Sequence, residues 1–250
     1  MKEKIAVSLD KALLEELSAA MRGTMLRSRS QAIEYFLRKG LGGRAITVAV
    51  ILLHRKHHEI ALQQVNGQSL VRRQLAWFAE QGIEQVFVLT QSGPLLTRLL
   101  LETSKAKVAV EVVEASPDGN AQALSALKDR VHAPFVVMSG DTINSCGLQT
   151  MISFHSGSNA VATMGLMDRP EPSRYGSAIL DGNRIIAFTE KPRKADSHIV
   201  NTGLYVFSPD IFVAARGALS LERDVFPKLA KEGKLFGYFT HGEYAHFCPE

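Results

Sequence analysis

Two stretches hold side chains whose types and placement could do chemistry. The first is "AVILLHRKHHEI", where an apolar run ends in His54, Arg55, Lys56, His57 and His58. A strand, loop and helix at the head of an α/β sheet is a common place for a glycine-rich phosphate loop. Here no glycine follows until Gly67, and imidazoles and cations stand in its place. The second is "SGDT", which ends another apolar run and places Asp141 where open α/β sheets hold ligands. His54, His57 and His58 also raise zinc, but no further ligand at a known spacing accompanies them, so a solvated polar loop is the expectation.

The elements that must position these groups alternate. Strands are expected at 46–53, 85–90, 108–114 and 135–139, and helices at 70–81, 94–102 and 121–131. The first three strands are rich in Val and Ile, as buried parallel strands are. The pattern argues for a mostly parallel sheet with helices on both faces. Three regions follow: an arm over 1–42, a linker over 43–46 and a large α/β domain over 47–250.

The arm differs from the rest in charge. Residues 1–44 hold nine Lys/Arg against five Asp/Glu, while the remainder carries 20 of each, so the whole excess of +4 sits in the first sixth of the chain. Such asymmetry hints at an anionic partner. "KIAVSL" alternates with period two, with Lys4, Ala6 and Ser8 on one face. Asp10 can cap a helix with Leu13, Leu14, Leu17 and Met21 on its apolar face. Ser28 and Gln31 form a capping box for a second helix expected to bury Ile33, Phe36 and Leu37. So short a unit cannot fill a core alone, and pairing the strand with its copy from a second chain would solve this.

Residues 1–42 resemble a ribbon-helix-helix DNA-binding domain of the CopG/MetJ/Arc-like kind, through "KIAVSLDKALLEEL" and "RSRSQAIEYFLRKGL". The resemblance implies a dimer on double-stranded DNA. Lys4, Ala6 and Ser8 would read base edges in the major groove, and Ser28, Arg29 and Ser30 would meet phosphate.

The large domain resembles the sugar-1-phosphate nucleotidylyltransferases of the glucose-1-phosphate thymidylyltransferase and mannose-1-phosphate guanylyltransferase group. The phrases that carry this include "VNGQSLVRRQLAWFAEQGIEQVFVL", "EASPDGNAQAL", "SGDTI", "YGSAILDGNRIIAFTEKP", "NTGLYVFSPDIF" and "LERDVFPKLAKEGKLFGY". The implied fold is a Rossmann-like, GT-A-like nucleotidyltransferase domain. Asp141 matches a Mg²⁺ ligand of that family, Glu114 and Gly119 its base site, and Gly176, Glu190, Lys191 and Asn201 its sugar and phosphate contacts. Two parts depart from the pattern. The loop of type GGxGTRLxPxTxxxPK is shortened, with Ile60 at its lysine position, and His246 stands where a second metal-binding aspartate is usual. Mg²⁺ prefers oxygen ligands, and mobile charges replace a preorganised phosphate cradle poorly.

These departures lead to an expectation that the domain is a pseudoenzyme without catalytic residues or cofactor. The chain would then be a dimeric, sequence-specific transcriptional regulator whose second domain senses a sugar nucleotide or binds a protein. The alternative is an active sugar-1-phosphate nucleotidylyltransferase using Mg²⁺, with the arm serving only to dimerise. No membrane span or signal peptide is apparent, and Cys146 and Cys248 lie far apart, so a reducing cytoplasm is the expectation.

Overall fold

The computed structural model describes residues 7–21, 28–40, 46–115 and 118–247, with side chains at 34, 35 and 38–40 left aside. The chain divides into two compact units, 1–45 and 46–250.

In the first unit, helices α1 (Lys11–Met21) and α2 (Arg29–Gly40) form where the capping residues place them. Asp10 Oδ1 accepts from the Ala12 amide at 2.7 Å, and Ser28 Oγ accepts from the Gln31 amide at 3.2 Å. Each side chain satisfies a donor that the first helical turn leaves orphaned. The apolar stripes are not buried as expected: Leu13 and Leu37 are exposed, and α1 has no buried residue. A two-helix unit has too little apolar area to cover its own stripe. Residues 7–10 precede α1 without strand structure. Lys4, Ala6, most of the 43–46 linker and Cys248 lie outside the described residues.

The second unit begins with β1 (Val48–Leu52), α3 (His58–Leu62), β2 (Gln64–Val65), β3 (Gln68–Ser69) and α4 (Leu70–Glu80). It continues through β4 (Gln85–Thr90), α5 (Leu96–Thr103), β5 (Ala109–Glu114), α6 (Asn120–Leu124), β6 (Phe135–Ser139), β7 (Thr142–Asn144) and α7 (Leu148–Ser156). The last part holds β8 (Ala162–Asp168), β9 (Gly176–Asp181), β10 (Arg184–Glu190), β11 (Ile199–Phe207), α8 (Ile211–Ala214), α9 (Phe226–Lys231), β12 (Leu235–Phe239) and β13 (Tyr244–His246).

Nine strands form one sheet in the order β5-β4-β1-β6-β11-β8-β12-β10-β9. The four strands anticipated from the apolar runs pair in parallel, β1 lying between β4 and β6 and β4 beside β5. The expectation of a mostly parallel sheet is nevertheless corrected, because the sheet is mixed. β11 runs antiparallel to both β6 and β8, and β10 antiparallel to β9 and β12. The reason is local for one pair: β9 and β10 are joined by only Gly182 and Asn183, with Gly182 at φ 57°. A two-residue connection forces a hairpin and favours glycine at positive φ.

β1 shows how the sheet is covered on both faces. Ala49, Ile51 and Leu53 face a core shared with Leu75 and Phe78 of α4 and Met151 of α7, while Val50 faces a second core shared with Leu124 of α6 and Phe226 of α9. Continuous apolar strands result, since neither face meets water. Among the described residues no helix is long and apolar enough to cross a membrane.

Candidate active site

The carboxyl ends of β1 and β6 open onto a cavity of about 190 Å³, lined among others by His54, His57, Gly119, Asn120, Asp141 and Glu222. Asp141 occupies the turn between β6 and β7. That turn is held from below by Gln74 of α4, whose Nε2 donates to the carbonyls of Ser139 (2.9 Å) and Thr142 (2.7 Å). Thr142 Oγ1 also donates to the Ser139 carbonyl at 3.0 Å. At Gly140 a Cβ would stand 2.7 Å from the end of the Leu53 side chain and 3.0 Å from the Leu52 carbonyl oxygen.

The chain after β1 is not an irregular loop. It folds into a single 3₁₀ turn over Arg55–His57, with His54 Nδ1 accepting from the Lys56 amide at 3.2 Å and Gln91 Oε1 accepting from the Arg55 amide at 2.7 Å. This turn brings His57 Nδ1 to 3.3 Å from Asp141 Oδ2. β13 pairs with β7, His246 opposite Thr142, and so brings His246 Nε2 to 3.5 Å from the same oxygen. Sequence separation hid this convergence, which depends on the β7–β13 ladder. The three histidines considered for zinc diverge instead. His58 is buried with Nε2 2.7 Å from Thr90 Oγ1, and among the described residues no group of three His, Cys, Asp or Glu side chains is disposed to hold a metal ion. Burial holds the His58 imidazole below its usual value, with the neighbouring His54 adding to the effect.

A second cluster borders the cavity through Glu222. Asn120 Nδ2 donates to both Glu222 oxygens at 2.9 Å, and Asn120 Oδ1 accepts from the Leu221 amide at 2.8 Å. Glu222 in turn acts on Glu190. Burial pushes the Glu190 carboxyl above the usual range and the Glu222 charge pushes it further, against the opposing pull of Lys191, Arg223 and His246. Gly176 lies opposite Glu190 in the β9–β10 ladder, where a Cβ would meet the Phe188 ring at 2.3 Å and Glu190 Oε2 at 2.8 Å. Lys191 sits in the left-handed region at φ 44°, its amide donating to the Tyr175 carbonyl at 3.0 Å. For a non-glycine residue that conformation is strained, a mark of sites where the backbone is bent for a purpose.

The structure thus brings Gly119 and Asp141 to one cavity; Gly176 and Glu190 pair in the β9–β10 ladder with Lys191 next in the chain, and these three do not line it. Asn201 is committed internally, Oδ1 accepting from the Gly203 amide (2.8 Å) and Nδ2 donating to the Tyr205 hydroxyl (2.7 Å). Glu114 is exposed at the end of the edge strand β5 and does not line the cavity. Asn120, Glu222 and Gln74 were missed from the sequence. "LERDVFP" contains Glu222, but only the fold sets it beside Asn120.

A nine-stranded mixed sheet thus carries Asp141 at the carboxyl end of β6, on an open cavity. The nucleotidyl transferase family profile matches residues 53–244, and the chain belongs to that family. It is 27% identical over 183 residues to a mannose-1-phosphate guanylyltransferase catalytic subunit beta of Drosophila melanogaster, covering 70% of this chain and 50% of the relative. It is 33% identical over 135 residues to a mannose-1-phosphate guanyltransferase beta-B of Xenopus laevis, covering 52% and 38%. The chain spans about half the length of the curated relatives it matches. A Bacillus anthracis crystal structure assigned as a glucose-1-phosphate thymidylyltransferase shares the fold, with a TM-score of 0.69 at 21% identity over 80% of this chain and 89% of that one.

These findings correct the expectation of a DNA-binding transcriptional regulator carrying a pseudoenzyme domain. The family match covers the large unit, and the relatives named here are sugar-phosphate nucleotidyltransferases, none of them a DNA-binding protein. Of the residues assigned to DNA, Ser8, Ser28, Arg29 and Ser30 are exposed, and Arg29 Nη2 lies 3.5 Å from Ser18 Oγ of its own unit. The inference of inactivity rested on a missing loop with mobile charges. The shortened loop and His246 both stand in the structure; it is the family match that overturns the expectation.

Proposed function

We propose that the chain is a sugar-phosphate nucleotidyltransferase. A phosphate oxygen of a sugar 1-phosphate attacks the α-phosphorus of a nucleoside triphosphate, the bond to the bridging oxygen breaks, and pyrophosphate leaves with the electron pair. The observation that carries this reading is the placement of Asp141 at the end of β6, on the cavity and between His57 and His246. The names of the guanylyltransferase relatives support a nucleoside triphosphate and a hexose 1-phosphate as the substrate class.

Such a reaction draws on Mg²⁺, which is commonly held by one or two carboxylates with phosphate oxygens and water completing its shell. Asp141, half-buried on the cavity, fits the one-carboxylate form of that site. When bound, the ion supplies positive charge against the transferring phosphates.

The chain's own groups do the rest. His57 and His246 fix the Asp141 carboxylate and present imidazole nitrogens toward the phosphates. Arg55 and Lys56 add exposed positive charge at the same rim. Gly119 lets the cavity wall close against the Leu219 carbonyl. Glu190 accepts from sugar hydroxyls and Lys191 meets the sugar phosphate, with Gly176 giving clearance beneath both.

The test is pyrophosphate release by the purified chain with GTP, dTTP or UTP, each paired with mannose 1-phosphate or glucose 1-phosphate. Release that requires both substrates and is lost in Asp141→Asn supports the reading; no release with any pair overturns it.

For the arm, we infer pairing with a second copy of the chain. Leu13 and Leu37 are exposed, and α1 has no buried residue. Light scattering of the full chain is expected to show a dimer, and Leu37→Asp a monomer. A monomeric parent chain would overturn the inference.

A further inference from the structure

His54 lines the reaction cavity but has none of the roles assigned above. It follows β1 and caps the single 3₁₀ turn that stands where the phosphate loop is shortened. Its Nδ1 accepts from the Lys56 amide at 3.2 Å, and Gln91, just past β4, pins the same turn by accepting from the Arg55 amide at 2.7 Å. A neutral imidazole with an accepting Nδ1 carries its proton on Nε2. Burial holds the His54 ring below its usual value of 6.5, and His57, Lys56 and Arg55 add to the effect, so the neutral form prevails at neutral pH. Nε2 has no hydrogen-bond partner among the described residues, and unlike His58 Nδ1 it is not buried. With the other ring nitrogen committed to the turn, Nε2–H is the polar group that His54 offers the cavity.

The neighbours of that donor select its acceptor. Arg55 and Lys56 are exposed, and among the described residues neither has a carboxylate within ion-pair distance. The carboxylates of the cavity face other groups, Asp141 the imidazoles of His57 and His246, Glu222 the side chains of Asn120 and Ser220. The turn side of the cavity is therefore a fixed neutral donor beside two unpaired cations, which suits an anionic acceptor. The His54 and His57 ring centres are 6.2 Å apart and His57 faces Asp141, so two imidazoles step along the cavity from the carboxylate to the turn. An anion whose charge is spread along linked phosphates fits such a step better than a single phosphate does. A glycine-rich loop meets phosphates with backbone amides, and a side-chain N–H of fixed tautomer on a pinned turn is preorganised in the same sense. With nucleotidyl transfer as the reaction, we propose that His54 binds the triphosphate of the nucleotide, its Nε2–H donating to a phosphate oxygen in place of the loop's amides.

Two substitutions separate contact with the ligand from upkeep of the turn. Asparagine caps a turn as His54 Nδ1 does, but it is too short to bring an N–H to where Nε2 stands. Glutamine reaches that far with an amide N–H and gives up the cap. The full chain is titrated calorimetrically with GTP, inorganic tripolyphosphate, guanosine and mannose 1-phosphate. The parent chain is expected to bind GTP and tripolyphosphate. His54→Asn is expected to weaken both by about ten- to a hundredfold, as loss of one hydrogen bond to a charged acceptor does, while mannose 1-phosphate binding and the denaturation midpoint stay unchanged. His54→Gln is expected to bind both more tightly than His54→Asn. If His54→Gln fails to fold, His54→Asn carries the test alone.

A parent chain that binds neither GTP nor tripolyphosphate overturns the proposal, and so does GTP binding unchanged in His54→Asn. A loss confined to His54→Gln would leave His54 as a cap and nothing more. A loss for guanosine as large as that for GTP would move the contact to the base, and a loss for mannose 1-phosphate would move it to the sugar phosphate. Pyrophosphate release by the parent chain, measured in parallel, keeps the two proposals apart. Release together with unchanged GTP binding in His54→Asn overturns only the role of His54, whereas the expected binding pattern without release overturns only the reaction.

Discussion

Two carboxylates, Asp141 and Glu190, stand in different surroundings. Asp141 faces His57 and His246, both within 3.5 Å of one oxygen. Glu190 is buried and shares its surroundings with the charge of Glu222. A carboxylate on an open cavity beside imidazole nitrogens suits phosphate and metal chemistry, whereas burial pushes the Glu190 carboxyl toward its neutral form, which suits hydrogen bonding to hydroxyls. On the proposed reaction, the same functional group would serve two tasks.

The largest effect that would break this comparison comes from Asp141→Asn. It keeps shape and removes charge, and transfer is expected to fall by about a hundred- to a thousand-fold, read as initial rate of pyrophosphate release. A loss below tenfold would remove Asp141 from the reacting centre.

Next come the two glycines that allow each side to close. At Gly119 a Cβ would stand 2.0 Å from the Leu219 carbonyl oxygen, and at Gly176 the obstacle is the Phe188 ring at 2.3 Å. Gly119→Ala is expected to cost more, because a backbone oxygen gives way less than a ring. Overpacking of this kind costs about 1–3 kcal/mol, read as the denaturation midpoint. The reverse ranking would show that the 219–221 segment yields.

The third test uses pH. Glu190 has a raised value in the folded state, so the fold binds more protons than the unfolded chain, and its contribution to stability is lost as pH rises through the raised value. Glu190→Gln is therefore expected to raise Tm at pH 7, with the gain vanishing below the ordinary value of 4.5. His155 of α7 supplies the opposite slope. It lies buried between Thr163 Oγ1 (2.8 Å) and Ser208 Oγ (3.0 Å), and burial pushes its imidazole down to about 4. Its neutral form stabilises the fold above 6.5, and this is lost as pH falls from 6.5 toward 4. His155→Gln is expected to flatten the acid limb of the stability curve.

The smallest expected effect is at Cys146. Burial pushes its thiol up to about 11, so the native protein is expected to resist alkylation at neutral pH until it unfolds.

Much of the fold could be read from the sequence, and the physical reason lies in particular strands. β1, β4 and β6 are buried on both faces, so their apolar runs are unbroken and their parallel pairing was legible. β8 to β12 defeated that reading, because direction in those strands is set by a two-residue hairpin and by β11 returning between β6 and β8. Asp141 was legible because it ends a strand. Glu222, more than a hundred residues from Asn120, was not, since a hydrogen bond of that span leaves no local pattern. The turn after β1 misled for a different reason: glycine content and loop length show that one phosphate cradle is missing, but not that a 3₁₀ turn aims His57 at Asp141.

The division of labour between the two carboxylates is tested most directly by the initial rate of transfer in Glu190→Gln, measured while GTP and mannose 1-phosphate are varied independently. The account predicts a raised KM for the sugar phosphate with the KM for GTP unchanged. A raised KM for GTP alone, or unchanged values for both substrates, would contradict it.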